Sequence, residues 1–178
     1  MAVSVTWFTR GWRSRWLPAI LVAAALGMWP ACNRNTAAPG AGGVNLDFVL
    51  KDAAGQDVRL ADFKGRPLLV NMWATWCGPC KAEIPWFVEF SERYKDKGFT
   101  VVGISVDDVP EDITKFATEY KVNYPMLVGK DRPDVSKAFD AELVLPVSWL
   151  IRRDGTVHTK VVGIHGRDWF DAQIQELF

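Results

Sequence analysis

The chain has 178 residues, enough for one domain with a hydrophobic core and a terminal extension. Hydrophobic residues make up 49% and charged residues 24%, which is ordinary for a globular protein. The formal net charge is zero, but the first 31 residues carry three arginines and no acid, which leaves 18 basic and 21 acidic residues elsewhere. A mildly acidic body lacks the basic surface that nucleic-acid binding needs, so we expect no nucleic-acid partner.

The first 31 residues have the layout of an export signal. The basic stretch TRGWRSRW precedes the apolar LPAILVAAALGMWPA, and Cys32 follows at once. The apolar run is shorter than the roughly 20 residues of a membrane-spanning helix, and prolines at positions 18 and 30 interrupt it. Residues 1–31 are therefore predicted to be a signal peptide that directs the rest of the chain out of the cytoplasm.

Cys32 lies in WPAC, which resembles the lipobox of bacterial lipoproteins, although Trp29 stands where leucine is usual. The resemblance implies cleavage before Cys32, lipidation of that residue, and a domain anchored on the periplasmic side of a bacterial membrane. A plain signal peptide (soluble periplasmic product) or an uncleaved anchor would make Cys32 incidental, yet each would also place the domain outside the cytoplasm. Residues 32–43 are predicted to be a flexible tether, and residues 44–178 the folded domain.

From Val44 onward the apolar pattern predicts short strands that alternate with helices. VNLDFVL and QDVRL are predicted to form a hairpin around a turn glycine. LLVNMW (68–73) and TVVGISV (100–106) are predicted to be buried strands, and the spacing between them predicts a helix over 78–97 that Gly98 ends. A crossover of this length joins parallel strands in a βαβ unit.

The second half of the domain continues the alternation. The predicted elements are the helix PEDITKFATEYK, the strand YPMLV, the short helix RPDVSKAFDA, the antiparallel strands LPVSWLI and TVHTKVVGI, and the closing helix RDWFDAQIQELF. We find no internal repeat and no second domain. The pattern predicts an α/β fold in which helices cover both faces of a mixed sheet.

Cys77 and Cys80, in WCGPC, form a C-x-x-C motif at the junction between the strand 68–73 and the following helix. Unpaired N–H groups and the dipole at the helix N-terminus stabilise a thiolate, so Cys77 is the expected nucleophile. Cys80, one turn further on, would resolve the mixed disulfide by attacking Cys77, which closes a Cys77–Cys80 disulfide. Pro79 stiffens the turn in the part of a helix that tolerates proline.

Three other interpretations of the two cysteines compete. Zinc requires four ligands, and the further candidates, His158 and His165, are remote in sequence. A purely structural bridge across four residues would stabilise the fold weakly. A peroxidatic cysteine of the peroxiredoxin type would require proline and threonine where the chain has Val70 and Ala74. We therefore favour a redox pair, with no metal and no cofactor beyond the redox-active disulfide.

The stretch GRPLLVNMWATWCGPCKAEIP resembles the TlpA/ResA-like thioredoxin-fold thiol-disulfide oxidoreductases, as do FVLKDAAGQDVRLADFKG upstream and LPVSWLIRRDGTV downstream. The resemblance runs from about Phe48 to the C-terminus. It implies a thioredoxin-like, AhpC/TSA-related fold with an N-terminal β-hairpin and an inserted helix and strand. PEDITKFATEYKVNYPMLV has the size and place of that insertion.

The same resemblance implies an exported, membrane-tethered enzyme that acts on selected protein disulfides, for example in cytochrome c maturation or copper-site assembly. A membrane thiol carrier would return electrons to it. The dipeptide Gly78-Pro79 is the one that thioredoxin uses, which favours a reductase. A disulfide oxidase or isomerase with the same cysteines is an alternative. Another is a copper-handling assembly module that uses the thiols together with His165.

The resemblance also assigns roles to residues around the motif. Pro146 would be a cis-proline that lies against the disulfide. Val147 and Ser148 follow it where many relatives carry threonine, so the identity of the target protein cannot be transferred. The residues expected to line the substrate groove are Trp76, Gly78, Pro79 and Leu145.

Asn71 and Glu83 bear on how protons move. Thioredoxin has a buried aspartate six residues before its first cysteine, where this chain has Asn71, which exchanges no proton. Glu83 lies three residues past Cys80, and in the resembling family this glutamate is partly buried with a raised pKa, which suits proton transfer with Cys80. A solvated first-turn glutamate, favoured by the helix dipole, is the alternative. Pro85 is expected to bend the helix, because it removes the bond to Lys81.

Overall fold

The computed structural model of the chain describes residues 43–178. The predicted signal peptide, Cys32 and all of the predicted tether except Gly43 lie outside the described residues. Between residues 43 and 178, no helix is both long and apolar enough to cross a membrane.

Seven strands form one mixed sheet in the order β2-β1-β5-β4-β3-β6-β7. The central strands β3, β4 and β5 are parallel to one another, and the other neighbouring pairs are antiparallel. In chain order the strands are β1 (Val49–Asp52), β2 (Asp57–Arg59), β3 (Leu68–Trp73), β4 (Thr100–Ser105), β5 (Met126–Val128), β6 (Val147–Ile151) and β7 (Val157–Val162).

Helices cover both faces of this sheet. They are α1 (Gly78–Arg93), α2 (Pro110–Glu119), α3 (Pro133–Ala138) and α4 (Arg167–Gln175). Phe87 of α1, Phe116 of α2 and Phe170 of α4 belong to one buried cluster, whereas Val135 of α3 belongs to the cluster on the opposite face. The predicted thioredoxin-like arrangement of a mixed sheet between helices is therefore confirmed.

Strand β3 separates the two clusters. Leu69 and Trp73 pack on the side of α1, and Leu68 and Met72 pack on the side of α3. Successive side chains of a strand point to opposite faces of the sheet. A strand with apolar side chains on both faces is therefore buried on both sides, in the middle of the sheet. By the same alternation Asn71 faces α1, which places a polar side chain under the helix that carries the cysteines.

The predicted insertion is present as α2 and β5. β5 pairs in parallel with β4 on one side and antiparallel with β1 on the other. The N-terminal hairpin is thus joined to the central sheet through the inserted strand, with Lys51 opposite Val128.

Two predicted boundaries differ from the structure. β1 begins at Val49 and not at Val44, because the Asn45 side chain accepts a hydrogen bond from the Asp47 N–H at 2.9 Å and turns the chain before the strand. Helix α1 ends at Arg93, where Tyr94 leaves helical geometry and donates its hydroxyl to Asp171 at 2.7 Å. A short 3-10 turn then leads to Gly98, whose φ of 78° is left-handed.

Candidate active site

The two cysteines lie where β3 passes into α1. Cys77 is the N-cap of α1, and its Sγ accepts a hydrogen bond from the Cys80 N–H at 3.2 Å. The two residues form a disulfide with a Cα–Cα distance of 5.3 Å. Cys77 is 4% exposed and Cys80 is 0% exposed, so an attacking sulfur can approach only Cys77.

Pro146 lies at the same end of the sheet. The Leu145–Pro146 peptide bond is cis, and the Gly163 N–H donates to the Pro146 carbonyl at 2.8 Å. β6 pairs with β3 in a register that sets Val147 opposite Met72. Pro146 is therefore level with the last residue of β3, next to the loop that leads to Cys77.

Most of the predicted groove residues are exposed, and with the exposed apolar side chains near Leu145 they form a surface that we call the exposed rim. Trp76 is 64% exposed, and its indole N–H donates to Asp107 Oδ2 at 3.2 Å. Gly78 and Pro79 are exposed, whereas Leu145 is half-buried against the core. Four exposed apolar side chains that the sequence pattern did not predict flank Leu145 and Gly163, and these are Leu143, Val144, Val162 and Ile164.

A second group that the sequence analysis missed is the acidic pair after β4. Asp108 is buried, and its carboxylate accepts hydrogen bonds from the Thr75 N–H at 2.8 Å and from the Thr75 and Ser105 hydroxyls at 2.5 Å. Thr75 is thereby fixed two residues before Cys77. The signal was available: the carboxyl ends of neighbouring parallel strands share one edge of the sheet, so acids after β4 fall beside the loop after β3.

Glu83 is fully buried in α1. Its Oε1 accepts a hydrogen bond from the His165 N–H at 3.2 Å, and its Oε2 has no hydrogen-bond partner among the described residues. Burial raises the pKa of Glu83 to about 8, and the His165 hydrogen bond opposes that rise. The alternative of a solvated first-turn glutamate is therefore wrong.

Asn71 has a neutral partner on the same side of the sheet. Its Nδ2 donates to the Ser148 hydroxyl at 3.0 Å, and both side chains are buried. Where thioredoxin has a buried acid, this chain thus has Asn71, a neutral residue hydrogen-bonded to Ser148. Pro85 lies inside α1, which continues through it to Arg93, and the predicted bend stays a prediction.

The two histidines have separate surroundings. The ring of His165 packs on Trp169 with the ring centres 4.5 Å apart. His158 contacts Arg152 through Nδ1 and lies 3.0 Å from Gln173 Oε1 through Nε2. Within the part of the chain that the structure describes, no three His, Cys, Asp or Glu side chains are grouped as a metal site.

Comparison with known proteins identifies the family of this chain. The AhpC/TSA family profile matches residues 42–160. The chain is 33% identical to the thiol-disulfide oxidoreductase ResA of Geobacillus thermodenitrificans over 147 residues, 81% of this chain and 83% of that protein. It is 28% identical to two Chlorobium tepidum proteins of known structure. One is a candidate thiol:disulfide interchange protein DsbE, matched with a TM-score of 0.70 over 78% of this chain and 96% of that one.

The other is a thiol:disulfide interchange protein of the thioredoxin family, matched with a TM-score of 0.67 over 77% of this chain and 97% of that one. These similarities agree with the mixed sheet and with a disulfide that spans the first turn of α1. The chain therefore belongs to the AhpC/TSA family and is a ResA-like thiol-disulfide oxidoreductase with a Cys77–Cys80 pair.

Proposed function

We propose that this oxidoreductase reduces protein disulfides and that Cys77 and Cys80 supply the two electrons. The Cys77 thiolate attacks one sulfur of the target disulfide, which forms a mixed disulfide and releases the other target sulfur as a thiolate. Cys80 then attacks Cys77 Sγ, so the target leaves as a dithiol and the Cys77–Cys80 bond closes. A thiol donor restores the dithiol by the reverse exchange.

The hydrogen bonding of Cys77 is the observation that carries the reducing direction. Its Sγ accepts one hydrogen bond, from the Cys80 backbone N–H, and no side chain among residues 43–178 donates to it. Gly78 and Pro79, between the cysteines, bring no charge and no side-chain donor. A strong disulfide oxidant owes its potential to a stabilised reduced form. If Cys77 gains no further donor when the disulfide opens, its thiolate has only the helix N-terminus to stabilise it, which favours a reductant.

The position and the pKa of Glu83 support a role for it in proton transfer with Cys80. It follows Cys80 by three residues on α1, so the two side chains lie on adjacent faces of one helix turn. Because its pKa is about 8, Glu83 holds a proton at neutral pH. It can give that proton to the Cys80 thiolate when the disulfide opens, and take it back when Cys80 attacks Cys77.

The exposed rim supports a protein target. The indole of Trp76 and the apolar side chains of Leu143, Val144, Val162 and Ile164 are exposed at the end of the sheet that carries the disulfide. Exposed apolar surface of this kind suits contact with another polypeptide. The targets we expect are exported proteins with disulfides, such as apocytochrome c or proteins of copper-site assembly, on the strength of the family resemblance.

We place the reaction on the periplasmic side of a bacterial membrane, with the domain held there through Cys32. This rests on the sequence pattern of residues 1–32. Replacing Cys32 with alanine should release the domain into the soluble periplasmic fraction. Retention of the Cys32→Ala protein in the membrane would contradict lipidation and indicate an uncleaved anchor. A membrane thiol carrier is the electron donor that we expect.

The reduction potential of the Cys77–Cys80 couple tests the direction of electron flow. Equilibration with thiol–disulfide buffers should give a value near that of thioredoxin, about −270 mV, and a value near that of DsbA, about −120 mV, would overturn the proposal. Pro79→His is the matched variant. It places an imidazole beside Cys77 and should make the couple more oxidising, because a cation stabilises the thiolate.

A trapping experiment identifies the target. In Cys80→Ser the mixed disulfide on Cys77 cannot be resolved, so the target protein should accumulate in covalent linkage in the native membrane fraction. The Cys77→Ser, Cys80→Ser double variant is the control and should capture nothing. Capture by the double variant, or none by Cys80→Ser, would count against the proposed exchange.

A further inference from the structure

Three buried polar atoms have no hydrogen-bond partner within the described residues. They are Trp73 Nε1, Glu83 Oε2 and Tyr124 Oη, and no other buried side-chain nitrogen or oxygen between residues 43 and 178 shares this condition. Their side chains are at most 9% exposed. An unpaired polar atom in a protein interior costs about 1–3 kcal/mol, so three of them in one structure need an explanation.

The three side chains are neighbours on the α1 side of the sheet. Trp73 and Tyr124 both lie against Gly103, because a Cβ atom at that glycine would come within 3.2 Å of Trp73 Nε1 and 3.5 Å of Tyr124 Cε2. Tyr124 in turn is close enough to Glu83 for electrostatic coupling. Burial raises the pKa of the Tyr124 hydroxyl, and a negative charge on Glu83 raises it further.

One water molecule placed within hydrogen-bond distance of all three atoms would satisfy them together. Buried waters typically make about three hydrogen bonds to otherwise unpaired polar groups. Here the indole N–H of Trp73 and the hydroxyl of Tyr124 are donors, and Glu83 Oε2 is an acceptor. A water that accepts from Trp73 and Tyr124 and donates to Glu83 leaves none of them unpaired.

We propose that Tyr124 is a positioning residue for Glu83, acting through a buried water site that Trp73, Glu83 and Tyr124 share. The inference rests on the proposed proton role of Glu83 and extends it. By ordering the water, the Tyr124 hydroxyl directs a hydrogen bond at Glu83 Oε2 and stabilises the carboxylate form. Tyr124 thereby adjusts the pH at which Glu83 gains and loses its proton.

Other groups around Glu83 are accounted for. α1 contributes Cys80, and the loop before α4 contributes His165, which donates its backbone N–H while its ring packs on Trp169. The β3 and β6 strands contribute the neutral pair Asn71 and Ser148 on this face. Among the groups between residues 43 and 178, burial raises the pKa of Glu83 and the His165 N–H lowers it, and no ion pair contributes.

The test is the titration of the Glu83 carboxyl in the oxidised protein, followed by carbon-13 NMR. Tyr124→Phe removes one oxygen atom and keeps the ring. It should raise the Glu83 midpoint by about one pH unit, because the carboxylate loses an ordered hydrogen-bond donor. Tyr120→Phe removes the same atom from the stacked ring at the end of α2 and should leave the midpoint unchanged.

A midpoint that Tyr124→Phe does not move, or that Tyr120→Phe moves equally, overturns the inference. If Tyr124→Phe fails to fold, 3-fluorotyrosine in place of the tyrosines gives the second measurement. Fluorination makes the hydroxyl a stronger donor, so the Glu83 midpoint should fall, and an unmoved midpoint would again refute the water site.

These outcomes are separable from those of the proposed function. If Tyr124→Phe shifts the midpoint while Glu83→Gln exchanges thiols at the wild-type rate at every pH, the shared site stands and the proton role of Glu83 fails. If Glu83→Gln alters the exchange and Tyr124→Phe leaves the midpoint in place, the proton role stands and the shared site fails.

Discussion

Asp108 and Glu83 are both buried carboxyl groups beside the redox motif, and their surroundings differ. Asp108 holds the loop before Cys77 and accepts three hydrogen bonds, two from Thr75 and one from Ser105. Glu83 follows Cys80 on α1 and accepts one hydrogen bond, from the His165 N–H, while its other oxygen is unpaired among the described residues.

The comparison shows that the supply of donors, and not burial alone, decides what a buried carboxyl can do. Donors around a buried carboxyl group compensate for its lost hydration, so such a group serves as a fixed anchor for the segments that donate to it. A carboxyl with one donor is held in its neutral form by the low-dielectric interior and can exchange a proton near neutral pH. Asp108 therefore positions the loop, and for Glu83 we propose a role in proton transfer.

The largest expected effect concerns the pH dependence of stability. The unfolded chain releases the Glu83 proton near the ordinary pKa of 4.5 and the folded chain near 8. Between these values the unfolded state binds fewer protons, so the free energy of unfolding falls as pH rises. Glu83 should make the oxidised protein less stable at pH 9 than at pH 5 by on the order of 4 kcal/mol, as measured by urea unfolding.

Glu83→Gln isolates this contribution from those of other titrating groups. The glutamine keeps the shape and cannot ionise, so the difference in unfolding free energy between wild type and variant should change by the same amount over that pH range. A wild type and a variant with parallel pH–stability curves would show that Glu83 does not titrate in the folded state as described.

A smaller effect on the free energy of unfolding is expected when Asp108 is replaced. Asp108→Ala removes the acceptor of three hydrogen bonds and leaves the hydrogen of the buried Ser105 hydroxyl and the Thr75 N–H without an acceptor. It should lower the free energy of unfolding by about 2–3 kcal/mol. The neighbouring Asp107→Ala, which removes an exposed carboxylate bonded to Trp76, should cost less than about 1 kcal/mol. Equal losses for the two variants would contradict the distinction between them.

The smallest effect on stability is expected at the exposed rim. Trp76 is 64% exposed, so Trp76→Ala should change the unfolding free energy by no more than about 0.5 kcal/mol. Its loss should instead lower kcat/KM for a protein disulfide by about tenfold, since exposed tryptophans often anchor partner contacts.

Small disulfide reagents provide the matched substrate for Trp76→Ala. They reach Cys77 without contacting the rim, so their reduction rate should remain at the wild-type level. An equal loss with both kinds of substrate would indicate that Trp76 affects the cysteines themselves and not the docking of the target.

The central fold could be predicted because the sequence pattern there has one solution. β3 and β4 are apolar on both faces and are joined by a long amphipathic crossover, which predicts adjacent parallel strands in the middle of a sheet. The start of β1 could not be predicted. Val44 to Phe48 alternates like a strand, yet a local hydrogen bond from the Asp47 N–H to Asn45 competes with strand pairing.

The site likewise contains residues that could be predicted from the sequence and residues that could not. Cys77 and Cys80 are evident from local spacing, and the burial of Glu83 followed from the family resemblance alone. Asp108 and Tyr124 were missed because they reach the motif from β4 and from the segment before β5, and only the packed sheet brings them there. Adjacent parallel strands predict that the acids after β4 lie near the loop after β3, but which donors each carboxyl group accepts from is visible only in three dimensions.

The most direct test of the account is the rate at which dithiothreitol reduces the oxidised protein, measured against pH for wild type and Glu83→Gln. Opening the disulfide at Cys77 releases Cys80 as a thiolate, which protonated Glu83 can neutralise. The ratio of the two rates cancels the ionisation of dithiothreitol. It should be on the order of 100 below pH 7 and fall toward one above pH 9, as Glu83 loses its proton near pH 8. A ratio that stays the same across this range would contradict the assignment of Glu83 as the proton carrier.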